Sequence, residues 1–132
     1  CATVLVTVAC ALLAQSACRS GAAILTDQRT IPATFNGSLT TIGESVRRAG
    51  DRTGWDVRPV QPGRALAVFV KGRHIARTLV VYNDAQIEIH YLGSAYLWAS
   101  GGIHPNYNVW VAAFGQAIVD DLSTGSVDSG SE

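Results

Sequence analysis

A chain of 132 residues, 48% of them hydrophobic, is long enough for one folded domain and too apolar for intrinsic disorder. Its 10 basic and 10 acidic side chains cancel, and its three cysteines, Cys1, Cys10 and Cys18, all fall in the first eighteen residues. That placement excludes a disulfide, a cysteine metal site or a cysteine nucleophile from everything after Cys18.

Residues 2–14 carry no charge and are almost wholly apolar. The run is too short to span a bilayer, which takes about 20 residues, and has the length of the apolar region of a secretory signal peptide. The basic stretch expected ahead of such a region is missing. The run ends in Gln15, Ser16, Ala17 and Cys18, small residues followed by cysteine, which resembles the lipobox of bacterial lipoproteins; Gln15 stands where that family usually has leucine. The resemblance implies cleavage before Cys18 and acylation of its thiol. At about 0.8 kcal/mol per buried methylene, several acyl chains make a stable anchor. The organisation expected is therefore a signal peptide over 1–17, a lipidated Cys18 and tether over 18–29, a domain over 30–122 and a disordered polar tail over 123–132. Two alternatives stay open: ordinary signal-peptidase cleavage, after Ser16 or Ala22, and an apolar segment that is retained.

Residues 30–35 read as a short edge strand, since Pro32 is tolerated only at an edge or a strand start. Asn36, Gly37 and Ser38 mark a turn. A first helix is expected over 42–53. Thr41 and Glu44 would form its capping box, Ile42, Val46 and Ala49 its apolar stripe, and Gly54 its left-handed end. Gly43 and Gly50 weaken it by about 1 kcal/mol each, so it must depend on packing. Residues 55–60 read as a strand or its approach, and 65–70 as a strand with Leu66, Val68 and Val70 opposite Ala65, Ala67 and Phe69. The centre of the chain is 74–91, two alternating runs broken at Asn83 and Asp84. Ala76, Thr78, Val80 and Tyr82 share a face with Ile87, Ile89 and Tyr91 in any register that pairs even positions with odd ones.

An irregular stretch over 93–108 follows, broken at Gly101 and Gly102. Asn106 is the expected N-cap of a final helix whose face carries Tyr107, Trp110, Val111, Phe114, Ile118 and Leu122. Asp120 and Asp121 sit unfavourably at its negative end, which predicts fraying there. The fold class is thus α+β: an antiparallel meander of three to five strands with two helices packed on one face, in the rough order β-α-β-β-β-α.

Gly54 with Trp55, Pro62 with Gly63, the run from Tyr91 to Ser94 and the run from Ile103 to Val111 resemble small bacterial envelope lipoproteins that pair a lipobox with a compact α+β domain. The resemblance implies an envelope address, outer-membrane or periplasm-facing, and it carries over no catalytic residue. Chemistry has to come from the residues themselves. His74, His90 and His104 show no metal-ligand spacing, and no nucleophile elbow or phosphate loop is present, so no cofactor, metal or catalytic residue is expected.

Tyr96, Trp98, His104, Asn106 and Asn108 form the candidate binding surface, with Trp98, beside glycines, expected to be partly exposed. Residues 47–77 hold eight basic side chains against two acidic ones, a local balance of +6. Without interleaved aromatics or a recognition motif this segment does not point to nucleic acid. The function expected is a lipid-anchored envelope protein with a non-catalytic binding or assembly role toward an envelope protein or polymer. The alternatives are a small enzyme or ligand-binding protein using the His104 loop, and an anionic-polymer binder using residues 47–77.

Overall fold

The computed structural model describes residues 21–99 and 102–131. The expected signal peptide and the lipidation site Cys18 lie outside the described residues. Five strands, β1 (Asp27–Thr30), β2 (Trp55–Gln61), β3 (Arg64–Lys71), β4 (His74–Tyr82) and β5 (Gln86–Ala95), make one antiparallel sheet in the order β1-β5-β4-β3-β2. Helix α1 (Leu39–Thr53) leads into β2, and helix α2 (Asn106–Ser131) closes the chain order. Between β5 and α2, the short strands β6 (Trp98–Ala99) and β7 (Gly102–Ile103) pair as a separate ribbon. The class is α+β, with an antiparallel meander under two helices, as the periodicities predict.

The central register follows from burial. Val80 pairs with Ile89 and Tyr82 with Ile87, so the even positions of β4 meet the odd positions of β5 on the covered face, where Ala76, Thr78, Val80, Ile87 and Ile89 are all fully buried. Asn83 Oδ1 accepts the N–H groups of Ala85 and Gln86, which folds the connecting turn. In β3 the alanines face inward. Ala65 and Ala67 are buried, while Leu66 and Val70 are 40% and 60% exposed on the far side of the sheet. Both helices pack on the alanine side: α1 through Ile42, Val46 and Ala49, α2 through Tyr107, Val111, Phe114, Ile118 and Leu122. Trp110 is only half-buried and lies against Phe69, with ring centroids 4.6 Å apart.

Several boundaries differ from expectation, each for a local reason. The edge strand is Asp27–Thr30 rather than residues 30–35, because Arg29, held in place by Asp27, ties it to α2; the Arg29 guanidinium donates to Gln116 Oε1 at 2.8 Å and to the Ala112 carbonyl at 3.1 Å. Helix α1 starts earlier, capped by Ser38, whose hydroxyl accepts from Thr41 N–H at 3.2 Å; Thr41 is inside the helix and the expected capping box with Glu44 is not the cap. Gly54 ends it with φ at +94°, as predicted.

The expected fraying around Asp121 is overturned. That carboxylate is 9% exposed and receives Arg48 at 2.8 Å and Arg52 at 3.1 Å, which fastens α2 to α1. The α2 backbone continues to Ser131, past Leu122, where the apolar pattern stops.

Candidate binding surface

The sheet has two distinct ends. At one, the near end, lie the turn between β3 and β4, the last residues of β5, the β6–β7 ribbon and the start of α2. At the other lie the β2–β3 and β4–β5 turns and the start of α1. Four of the five sequence-predicted residues, Tyr96, Trp98, His104 and Asn106, are exposed at the near end, and Asn108 is half-buried beside them.

The near end is built around a held loop. Tyr96 has φ at +59°, the left-handed region that costs a non-glycine residue about 1 kcal/mol or more. Its neighbours fix it there. His74 Nδ1 donates to the Tyr96 carbonyl at 2.6 Å, and the Arg73 guanidinium stacks over the Tyr96 ring at 4.8 Å. Next along, Leu97 is buried and its carbonyl accepts from His104 N–H at 2.6 Å. Trp98 then pairs with Ile103 across the ribbon. The outcome is two aromatic rings aimed outward from a fixed backbone, with Tyr96 66% and Trp98 62% exposed. Trp98, expected to be partly exposed, has most of its surface in solvent.

Beneath these rings an aromatic column runs from core to surface. Phe114 stacks on Trp55 at 5.2 Å, Trp55 meets Phe69 at 5.2 Å, Phe69 meets Trp110, and Trp110 lies 6.5 Å from the ring of His74. A second branch joins Tyr91 to Trp98 at 6.1 Å and to Tyr107 at 5.4 Å, both edge-on. The Tyr107 hydroxyl is buried and has no partner among the described residues. Burial, with Tyr91 and Asp27 nearby, pushes its ionisation far above the ordinary phenol range, so it stays neutral.

The polar residues of the predicted set have specific structural tasks. Asn106 is the first residue of α2 rather than its cap. The cap is His104, whose Nδ1 accepts the Asn106 N–H at 3.1 Å, a bond that requires this nitrogen to be unprotonated. The side chain of Asn108 is spent on the N-terminal segment: Nδ2 donates to the Ala23 carbonyl at 2.8 Å and Oδ1 accepts from Leu25 N–H at 3.2 Å. His74 and His104 come within 6.3 Å, a proximity that 29 intervening residues hid from any spacing rule. Among the described residues no three His, Cys, Asp or Glu side chains converge as metal ligands. His90 lies on the opposite face of the sheet and contacts Glu88 at 2.9 Å.

The basic segment is partly neutralised. Arg48 and Arg52 serve Asp121, Arg47 pairs with Asp51, and Arg58 with Asp56. Arg64, Lys71, Arg73 and Arg77 make no ion pair among the described residues, and of these Lys71 and Arg73 flank the near end.

Concave surface among the described residues does not coincide with the exposed rings of Tyr96 and Trp98. An apolar cleft of about 330 Å³ between α1 and the β2–β3 hairpin is walled by Leu39, Gly43, Pro59, Pro62 and Tyr82, at the opposite end from Trp98. A groove of about 490 Å³ runs along β1 and the start of α2, but Asp27, Arg29 and Asn108, its main polar groups, are already bonded to protein. The strained, exposed aromatic loop is therefore the feature that folding alone does not explain. Comparison with protein-family models, with curated proteins and with solved structures finds no match to this chain.

Proposed function

We propose that this chain is a bacterial envelope protein, held at a membrane by acylation of Cys18, whose domain has a non-catalytic binding role exerted by its near end. The observation that carries the binding role is the pairing of strain with exposure at Tyr96 and Trp98. A loop held in a costly backbone conformation by His74, Arg73 and His104, only to place two large rings in water, is a pre-organised contact surface. Rigid aromatic side chains lose little further entropy on binding, which suits them to that task. The anchor rests on the small residues before Cys18 and on the apolar run that precedes them.

The ring of His104 is committed to capping α2 and that of His74 to holding Tyr96, so neither is free as a general base in this arrangement. Binding fits these side chains better than turnover does.

Two measurements test the proposal. Mass spectrometry of the membrane fraction should find Cys18 as an acylated N-terminus. A photo-crosslinking amino acid at position 98, in cells, should give defined adducts with an envelope component, while the same group at position 124, on exposed α2 surface, gives none. An unmodified product in the soluble fraction, or equal labelling from both positions, refutes it.

A further inference from the structure

The N-terminal segment joins the domain at the near end, which has a consequence for what that end can touch. Ala22 exchanges both backbone hydrogen bonds with Ile103, at 2.7 and 2.9 Å, and Ile103 is paired in turn with Trp98. Ala22, Ile103 and Trp98 therefore lie side by side on three neighbouring strands. At ~4.8 Å per strand, the Trp98 backbone is about 10 Å from Ala22. Cys18 stands four residues before Ala22 in the sequence, and four residues reach at most ~14 Å. The nine residues of β4 alone run about 30 Å from near end to far end. A lipid on Cys18 thus holds the near end at the bilayer and leaves the far end about a full strand length away.

We infer that the partner met by the near end is the anionic bilayer itself, with Tyr96 and Trp98 in its interfacial layer and Lys71 and Arg73 against its phosphates. The inference rests on the Cys18 anchor proposed above and names what the exposed loop binds. The side-chain chemistry suits that occupant. Trp and Tyr concentrate where hydrocarbon meets water, because their rings are apolar and their N–H and O–H groups stay wet. Leu25 and Val70, 57% and 60% exposed, add aliphatic surface at the same end. Lys71 and Arg73 bracket the β3–β4 turn without an acidic partner among the described residues, and cations there are drawn to anionic headgroups. The acidic Asp84 and Glu44 stand at the far end, away from that surface. The apolar cleft between α1 and the β2–β3 hairpin would then face away from the membrane.

The test uses the full chain as the cell makes it, labelled with 5-fluorotryptophan and reconstituted in vesicles of phosphatidylethanolamine and phosphatidylglycerol. The three tryptophans give three fluorine signals, and Trp98→Phe identifies the relevant one. A nitroxide attached to lipid near the headgroup should broaden the Trp98 signal and spare that of buried Trp55, whereas a gadolinium chelate in the water should leave both sharp. An acylated protein whose Trp98 is broadened by the chelate and spared by the lipid nitroxide keeps its anchor but overturns membrane docking. A protein with an unmodified Cys18 overturns the anchor and this inference together.

Discussion

Asp121 is the residue whose replacement most directly tests the packing of the two helices. Its carboxylate is 9% exposed and accepts Arg48 Nε at 3.2 Å, Arg48 through its terminal nitrogen at 2.8 Å, and Arg52 at 3.1 Å. Burial by itself would raise the carboxyl's ionisation, but hydrogen bonds from Arg48, Ser45 and Arg52, with the Arg48 charge, outweigh it and hold the group below the usual carboxylate range. Asp121→Asn keeps the shape and removes the charge. A charge-assisted hydrogen bond contributes roughly 1.5–3 kcal/mol. The two arginine side chains are about half exposed, at 44% and 52%, so water compensates much of the loss.

The expected destabilisation is therefore about 2 kcal/mol in total, equivalent to a fall in Tm of roughly 8 °C for a domain of this size. The pH dependence has a definite sign. The folded carboxyl ionises below the unfolded one, so its contribution is complete above the unfolded value of about 4 and vanishes as pH falls through the folded value. Thermal unfolding followed by circular dichroism should show the full gap between variant and parent near neutrality and a closing gap in acid. A gap that stays constant in acid, or one below about 2 °C near neutrality, refutes the ion-pair account.

Three further changes probe the same packing. Tyr107→Phe removes a buried hydroxyl without a partner among the described residues, so denaturant unfolding should show a gain of up to about 1 kcal/mol; a comparable loss would mean the hydroxyl is bonded. Gly50→Ala, which in an exposed helix would add about 1 kcal/mol, should instead cost about 1–2 kcal/mol, because the new methyl would lie 2.5 Å from Val57 Cγ2 and 2.8 Å from the Trp55 carbonyl. His104→Ala should cost about 1 kcal/mol by uncapping α2, and His104→Asn should restore most of it, since an amide oxygen can take the same N–H. Equal losses for the two His104 variants would count against the cap.

What the sequence made legible was set by periodicity. The β4–β5 pair, the apolar side of α2 and the Gly54 terminus were readable because alternation at 2, recurrence at 3.6 and a left-handed glycine each leave a local signature. Alternation does not say which face is covered, and β3 shows why. Leu66 and Val70 face out, and the smaller Ala65 and Ala67 face in with Phe69, where α1 lies so close that Gly50 is needed against β2. The Asp121 clamp has the local signature of a frayed end, because its partners sit 69 and 73 positions away and only the charge at a helix terminus is visible locally. The β6–β7 ribbon, with two residues per strand, is too short to carry any period, so the pairing of Ala22 with Ile103 left no trace in the pattern. Residue preference alone points to Asn106 as the cap and has no means of seeing an imidazole reach forward from two residues earlier.

The near end also decides which variant can separate function from folding. His104 caps α2, orders Leu97 through its backbone and faces His74, so its loss disturbs the fold and the surface together. Asn108 has the same defect, since it binds the segment at Ala23 and Leu25. Trp98 is different. Its ring is 62% exposed, meets Tyr91 only edge-on, and its strand pairing belongs to the backbone. Trp98→Ser should leave Tm within about 2 °C of the parent, because exposed positions away from caps, cores and ion pairs seldom exceed about 0.5 kcal/mol. If the near end is a contact surface, the same substitution should weaken the crosslinks from that end, recorded with the photo-crosslinker moved to position 96, while the Cys18 anchor keeps the end near the bilayer. A variant that folds as well as the parent and crosslinks as well would remove Trp98 from any binding role, and with it the reason for holding Tyr96 in strain.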